Sequence, residues 1–307
     1  MHLDNSKPLE FFKKISLSKE AASEIKSLLI NENEGVDINQ KLNRHFEQIA
    51  KDITQNFNAL IVEIIPQDQE LLSYQEIYRL TVKIGEFLGE LIPQNEQGDK
   101  VIHVYDRNRL GSMFSGSRYH QTREGGSIHT DNVNVPEVWD FLLFSCISPA
   151  LVGGENIIVD GIKIHKILKK SFPDALAILE ENFTWEMRGF SETLYYAPII
   201  TYDQSGLPHF RHLRPYMESA HNKASQPLSE KQLYAVDVLD ALTNSSENQL
   251  RYKMKKGDIL LTRDTQVFHG RTCFSDAEEA VSFPDYLEGR GPTLKRTMER
   301  LWIKKHQ

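Results

Sequence analysis

The residues best suited to chemistry in this 307-residue chain are His129 and Asp131, one residue apart, and His269 far downstream. In a β-strand, residues i and i+2 point to the same side, so His129 and Asp131 can reach one metal ion. A third ligand can join from a distant strand if the sheet curls back on itself. Two imidazoles and one carboxylate cap one face of a mononuclear Fe(II) and leave the opposite face open to an oxidant, the arrangement of non-haem Fe(II) oxygenases. On its own His-x-Asp is weak evidence. With 11 histidines and 43 acidic residues, the tripeptide reads equally as a surface turn or a capped strand end.

Further segments add context. Ser127-Ile128-His129-Thr130-Asp131 is followed by the apolar run Trp139-Asp140-Phe141-Leu142-Leu143-Phe144-Ser145-Cys146 and then by Gly153-Gly154-Glu155-Asn156-Ile157-Ile158-Val159-Asp160-Gly161. His269-Gly270-Arg271-Thr272-Cys273-Phe274 comes later, and Arg296-Thr297-Met298-Glu299-Arg300-Leu301-Trp302-Ile303 comes last. In this order the motifs resemble the taurine dioxygenase and clavaminate synthase-like family of Fe(II)/2-oxoglutarate oxygenases, over roughly residues 84–303.

The resemblance implies roles residue by residue. His129, Asp131 and His269 match the iron ligands. Arg296 matches the arginine that grips the distal carboxylate of 2-oxoglutarate, a role suited to the planar guanidinium fork. Arg300 matches a position that contacts an acidic substrate group. Asn156 stands where the family usually has Thr, and its amide can donate the same bond to the cosubstrate. The stretch between His269 and Arg296 is longer than the family norm and carries the acidic insert Ser275-Asp276-Ala277-Glu278-Glu279-Ala280, so Arg290 and Arg271 compete with Arg296 for the cosubstrate. Because Asp131 fills the place that halogenating relatives leave to chloride, the implied reactions are hydroxylation, desaturation or oxidative cyclisation. Fe(II), 2-oxoglutarate and O2 are the implied cofactors and cosubstrates.

The elements that must position these residues follow from hydrophobic spacing. Ser18 can cap a helix carrying Ala21, Ile25, Leu28 and Leu29 on one face. A second helical face bears Leu42, Phe46, Ile49 and Ile53, and a strand covers residues 59–65 before Pro66. Ser73 can cap a third helix, with apolar residues from Ile77 to Leu91 and Pro93 as its stop. The first hundred residues therefore read as mostly helical. Short strands follow at 101–105, 141–146, 156–159, 194–196, 209–213, 259–262 and 267–269, with helices at 161–170, 173–181 and 229–242. Such a pattern supports a β-rich α+β protein. The resemblance adds the specific form: a single domain over residues 1–307 with a double-stranded β-helix (jelly roll) core, plus N-terminal and inserted helices.

Two regions are candidates for shaping the pocket. Residues 105–124, rich in Gly, Ser, Arg and aromatics and including Arg118, His120 and Arg123, read as a long loop and a substrate lid. Around Pro208-His209-Phe210-Arg211-His212, alternating basic residues on a strand could present Arg211 to a substrate carboxylate; a solvated strand face explains them as well. His212 and His120 read as locally satisfied histidines, since a fourth protein ligand would crowd out the oxidant. Asn132, directly after the carboxylate, either reaches a polar group of the substrate or closes the turn.

Composition bounds the rest. The net charge of −7 argues against nucleic acid, which needs basic surfaces. The chain lacks an apolar run long enough to span a membrane, and its N-terminus lacks a signal-peptide pattern. Cys146 and Cys273 both lie in apolar strand-like runs and read as buried free thiols, so the cytoplasm is the expected compartment. The candidate arginines Arg118, Arg123, Arg211 and Arg300 suggest an anionic or zwitterionic small-molecule substrate, an amino acid or a metabolite derived from one. A homo-oligomer stays compatible with the sequence. The competing readings are a non-catalytic metal-binding barrel and a zinc hydrolase; against the latter stands the lack of a His-Glu-x-x-His helix.

Overall fold

The structure, a computed structural model, describes residues 10–30, 36–64, 72–107, 121–131, 133–188 and 190–306. The N-terminal part opens with strand β1 (Glu10–Ser16), which the sequence reading did not contain. Helix α1 (Lys19–Ile30) follows, and the Ser18 hydroxyl accepts the Ala21 N–H at 3.2 Å as a cap. Helix α2 (Val36–Lys51) runs into a π-helical turn, Asp52–Asn56, and then strand β2 (Phe57–Glu63). Helix α3 (Tyr74–Leu88) starts at a capping box made by Ser73 and Glu76. It stops earlier than the apolar spacing suggests, because strand β3 (Gly89–Ile92) begins there and Leu91 belongs to it. A side chain on Gly89 would meet the Lys304 carbonyl at 2.0 Å, so the chain can pair at this point only with glycine.

Next come strands β4 (Val101–Val104), β5 (Gly126–His129), β6 (Phe141–Ser148), β7 (Val152–Gly153) and β8 (Asn156–Asp160). The Asp160 carboxylate caps helix α4 (Gly161–Ser171), and Pro173 opens helix α5 (Pro173–Leu179). Strands β9 (Asn182–Glu186), β10 (Leu194–Pro198), β11 (Ile200–Tyr202) and β12 (Pro208–Phe210) form two small hairpins. The expected strand at 209–213 ends at Phe210, and helix α6 (Arg214–Lys223) begins four residues later with Pro215 in its first turn. Helix α7 (Glu230–Asn244) starts at the capping box of Ser229 and Gln232. Strands β13 (Gln249–Tyr252), β14 (Ile259–Arg263), β15 (Val267–Arg271) and β16 (Phe274–Ser275) precede the short helix α8 (Phe283–Leu287) and the long strand β17 (Thr297–Lys305).

Two sheets form the jelly-roll core. The larger runs β1-β2-β14-β6-β17-β3, with β4 also on β17; the smaller runs β13-β8-β15-β5. All pairings within them are antiparallel except β1 with β2. The first hundred residues, read as mostly helical with one strand, give the larger sheet three of its strands. Alternation along each strand separates the layers. Leu60, Val62, Leu261, Leu301 and Ile303 face helices α1 to α3, whereas Ala59, Ile61, Leu260 and Met298 face inward. On the smaller sheet Ile157, Val159 and Phe268 pack against α4 to α7, while Ile158 and Val267 join the inner cluster. Cys146 is buried in it; Cys273 is exposed, contrary to expectation, because it sits in the turn between β15 and β16 and not in a strand. Among the described residues no helix is long and apolar enough to cross a membrane.

Candidate active site

The parity that sends Ile128 and Phe268 outward sends His129 and His269 into the space between the sheets. The two are directly paired across β5 and β15. Asp131, just past the end of β5, turns its Oδ1 to 3.6 Å from both His129 Nε2 and His269 Nε2. The three ligand atoms lie within 4.8 Å of one another and all three residues are buried. The two 3.6 Å separations from Asp131 Oδ1 are within twice a metal–ligand bond of about 2.1 Å. Each imidazole is set up as a ligand. His129 Nδ1 lies 2.6 Å from the Ser127 carbonyl, which can only accept, so Nδ1 carries the proton and Nε2 is left with its lone pair. Burial, reinforced by His129, lowers the His269 pKa to about 4, which keeps that ring neutral. For Asp131, burial alone would raise the carboxyl; the Arg300 guanidinium and the two histidines outweigh it and hold the group well below the ordinary carboxylate range.

The strand opposite completes the cavity. Met298 and Arg300 share the inward face of β17, and Arg296 stands just before its start. The cavity is lined on the smaller sheet by His129, Asn156, His269 and Arg271, and on the larger by Phe144, Arg296, Met298 and Arg300. Arg296 lies over the Phe274 ring, 5.1 Å from its centroid. Gly154, at φ +74°, leaves room for it, since a Cβ there would come within 3.1 Å of Arg296 Nε. The unexpected insert has a positional role: Asp276 accepts the Arg296 main-chain N–H at 2.7 Å and so pins the entry to β17. Asn156 is nine-tenths buried on the cavity wall, and its Nδ2 has no hydrogen-bond partner among the described residues. A buried donor of this kind costs about 1–3 kcal/mol unless a bound group satisfies it.

Other expected residues lie elsewhere. Arg211 does not line the cavity: Nη1 donates to the Val135 carbonyl at 2.6 Å and to the Tyr195 hydroxyl at 2.5 Å, and Nη2 to the Pro136 carbonyl at 2.9 Å. It holds the loop after Asp131 because the strand expected to present it ends at Phe210. Arg290 is exposed and paired with Asp285 and Glu288, which removes it as a rival to Arg296. Arg271 does line the cavity, and its Nη2 also donates to the Thr122 carbonyl. Arg123 is exposed. His212 bonds Asp240 through Nε2 at 2.8 Å, while its buried Nδ1 has no hydrogen-bond partner among the described residues. Arg118, His120 and Asn132 lie outside the described residues, as does most of the expected lid.

Trp302 and Asp264 also belong to this site, and neither was expected from the sequence. Trp302 Nε1 donates to Asp131 Oδ2 at 2.8 Å, and Arg300 Nη1 meets the same oxygen at 2.9 Å. Arg300 thus pairs with the triad carboxylate. Asp264 Oδ1 accepts the Asp131 main-chain N–H at 3.0 Å; burial and then the Asp131 charge push the Asp264 carboxyl well above its ordinary range. The shared parity of Met298, Arg300 and Trp302 was the available signal for the β17 residues. For Asp264 no sequence signal exists.

The sequence pattern of the taurine catabolism dioxygenase TauD, TfdA family matches residues 24–291. The chain belongs to this family. TauD/TfdA-family members are non-haem Fe(II)/2-oxoglutarate dioxygenases. Among curated proteins the chain is similar to FR-33289 synthase of Streptomyces rubellomurinus (strain ATCC 31215), 24% identical over 262 residues, covering 83% of this chain and 71% of that protein. It is also similar to gamma-butyrobetaine dioxygenase of Homo sapiens, 25% identical over 186 residues; the match covers 58% of this chain and 46% of that protein. Two solved structures share the TauD/TfdA-family fold at 13% identity. Asparagine oxygenase, solved with Fe(II), 2S,3S-3-hydroxyasparagine and succinate, has a TM-score of 0.66 and covers 95% of this chain and 93% of its own. The non-heme iron oxygenase OrfP, solved with Fe, succinate and (3R,4R)-dihydroxy-L-Arg, has a TM-score of 0.68 and covers 96% and 95%.

Proposed function

We propose that this chain hydroxylates an unactivated C–H bond of an amino acid or an amino-acid-derived metabolite. The observation that carries the reading is the convergence of His129 Nε2, Asp131 Oδ1 and His269 Nε2 on one point of a cavity that also holds Arg296 and Asn156. Bound Fe(II), with 2-oxoglutarate and O2, supplies the oxidising chemistry, and the cosubstrate leaves as succinate and CO2. The donor set suits Fe(II): two imidazoles and one carboxylate, with no fourth protein donor among the described residues in the group.

The chain's own contribution is binding, orientation and exclusion of water. Arg296 grips the distal carboxylate of 2-oxoglutarate, and the Asn156 amide donates to the same group, which gives its buried Nδ2 a partner. Val104, Phe144 and Met298 make an apolar wall that keeps water from competing at the reacting carbon. The amino-acid class is supported by the relatives, which include asparagine oxygenase and OrfP with an arginine derivative. A zwitterionic substrate also suits a cavity rich in guanidinium groups. A non-catalytic barrel would have no use for a cationic anchor and an unsatisfied amide donor beside the triad.

The test is anaerobic titration of the Fe(II)-loaded protein with 2-oxoglutarate, followed through the weak visible charge-transfer absorption of the chelate. The absorption should appear in the wild type and vanish in His269→Ala. Iron bound without that absorption would refute the cosubstrate assignment. Succinate release on screening free amino acids then selects the substrate.

A further inference from the structure

The Asp131 carboxylate is held in a lopsided way. Its Oδ2 receives two donors, Trp302 Nε1 at 2.8 Å and Arg300 Nη1 at 2.9 Å. Its Oδ1 faces both histidines at 3.6 Å. We propose that Arg300 and Trp302 are positioning residues that occupy one oxygen of Asp131, so that it meets the metal through the other oxygen alone. The inference rests on reading His129, Asp131 and His269 as the metal ligands.

The chemistry makes this division consequential. A carboxylate can grip a metal with one oxygen or two, and which it does is set by the partners of its second oxygen. A two-oxygen grip would fill one of the coordination positions that the keto acid and O2 require. Here the second oxygen is engaged by two protein donors, and both of these donors are themselves fixed. Arg300 Nε donates to Gln94 Oε1 at 2.8 Å, while Gln94 Nε2 donates to the Arg300 and Lys100 carbonyls at 2.8 and 2.9 Å. The Trp302 ring stacks on Trp139 with centroids 3.9 Å apart and planes 14° apart, and the Arg300 guanidinium lies over the Trp302 ring at 5.0 Å from its centroid. Rotation of Asp131 toward a two-oxygen grip would break both bonds to Oδ2 and take from Arg300 Nη1 and from the buried Trp302 indole N–H the acceptor they share. The same arrangement assigns Arg300 to the metal carboxylate and not to an acidic group of the substrate.

The experiment uses Co(II) as the probe on the metal-free full-length protein under argon. Affinity is read by calorimetry, coordination by the visible d–d absorption, and folding by the thermal unfolding midpoint of the metal-free form. Trp302→Phe removes the donor but keeps the stacked ring; Arg300→Gln removes the charge, and Arg300→Lys restores it. Wild type should bind one Co(II) that His269→Ala does not bind. Trp302→Phe and Arg300→Gln should each weaken binding about 10-fold or more and weaken the d–d bands as a further oxygen joins the metal, with Arg300→Lys lying between. Wild-type d–d bands in both Trp302→Phe and Arg300→Gln would overturn the proposal. If Arg300→Gln does not fold, Trp302→Phe decides. Failure of the wild type to take up Co(II) would instead bring down the dioxygenase reading itself, and the clamp with it.

Discussion

The two walls of the cleft hold their functional groups by different means. On the smaller sheet, the ligand atoms are placed by backbone: His129 and His269 are paired across β5 and β15, and the His129 ring is tied to a main-chain carbonyl two residues away. On β17 the groups are placed by side chains acting on side chains, with Gln94 on Arg300, Trp139 on Trp302, and both donors on Asp131. In the proposed function the first wall supplies the two imidazole ligands, and the second tunes the carboxylate ligand and holds the cosubstrate. Mutations on the two walls should therefore differ in kind, not only in size.

The largest effects belong to the ligand wall. His269→Ala and Asp131→Ala should abolish substrate oxidation, measured as succinate release; turnover at the wild-type rate in either would remove that residue from the site. Asp131→Ala adds a second penalty that His269→Ala lacks, because it strands the buried Arg300 without its partner. Its unfolding midpoint should fall below that of His269→Ala. Next in size is Arg296→Ala on the opposite wall. Losing a buried charge-paired anchor costs about 2–5 kcal/mol, so the KM for 2-oxoglutarate should rise by roughly 30-fold or more while Fe(II) binding is kept. An unchanged KM would transfer the anchor to Arg271, which lines the same cavity. Asn156→Ala removes a single hydrogen bond to the cosubstrate carboxylate, worth about 1.5–3 kcal/mol, so its KM should rise less than that of Arg296→Ala.

The difference between the walls also explains what could be read from sequence. The pair His129 and Asp131 was legible as a spacing of two, although Asp131 lies just past the end of β5, whereas strand β17 was absent from the sequence reading. Helix starts at Ser18, Ser73 and Ser229 were legible because a cap is a local hydrogen bond. What Arg300 would touch was not legible. Its partner Asp131 lies on another element, and the contact depends on how two sheets close over each other. Arg211 misled for a related reason: alternation indicates a face only while the strand lasts, and β12 stops one residue earlier. Strands β1 and β13, at the two sheet edges, carry mixed half-exposed patterns that no periodicity marks.

Arg211 offers a further way to separate placement from chemistry. Its guanidinium serves two carbonyls and the Tyr195 hydroxyl, so Arg211→Ala should lower stability by about 1–3 kcal/mol in denaturant unfolding and leave the KM for 2-oxoglutarate near that of the wild type. A selective rise in the KM of the amino-acid substrate, with stability unchanged, would return Arg211 to the substrate.

The smallest expected effect probes the outer support of the ligand wall. Thr130 donates its N–H to the His212 carbonyl and its hydroxyl accepts the His212 N–H, while the His212 ring bonds Asp240 on α7 at 2.8 Å. Arg214 joins Asp240 at 2.9 Å. Burial pushes the Asp240 carboxyl up, but His212 and Arg214 prevail and lower it below its ordinary value. A carboxyl with a lowered folded-state pKa contributes stability that is fully present above its unfolded value, about 3.9, and that is lost as pH falls through the folded value. Wild type should therefore exceed Asp240→Asn in stability by about 1–2 kcal/mol at neutral pH, and the gap should close only below about pH 4. Urea midpoints of both proteins across that range measure it. A gap independent of pH would mean that Asp240 supports the ligand wall through packing and not through its charge.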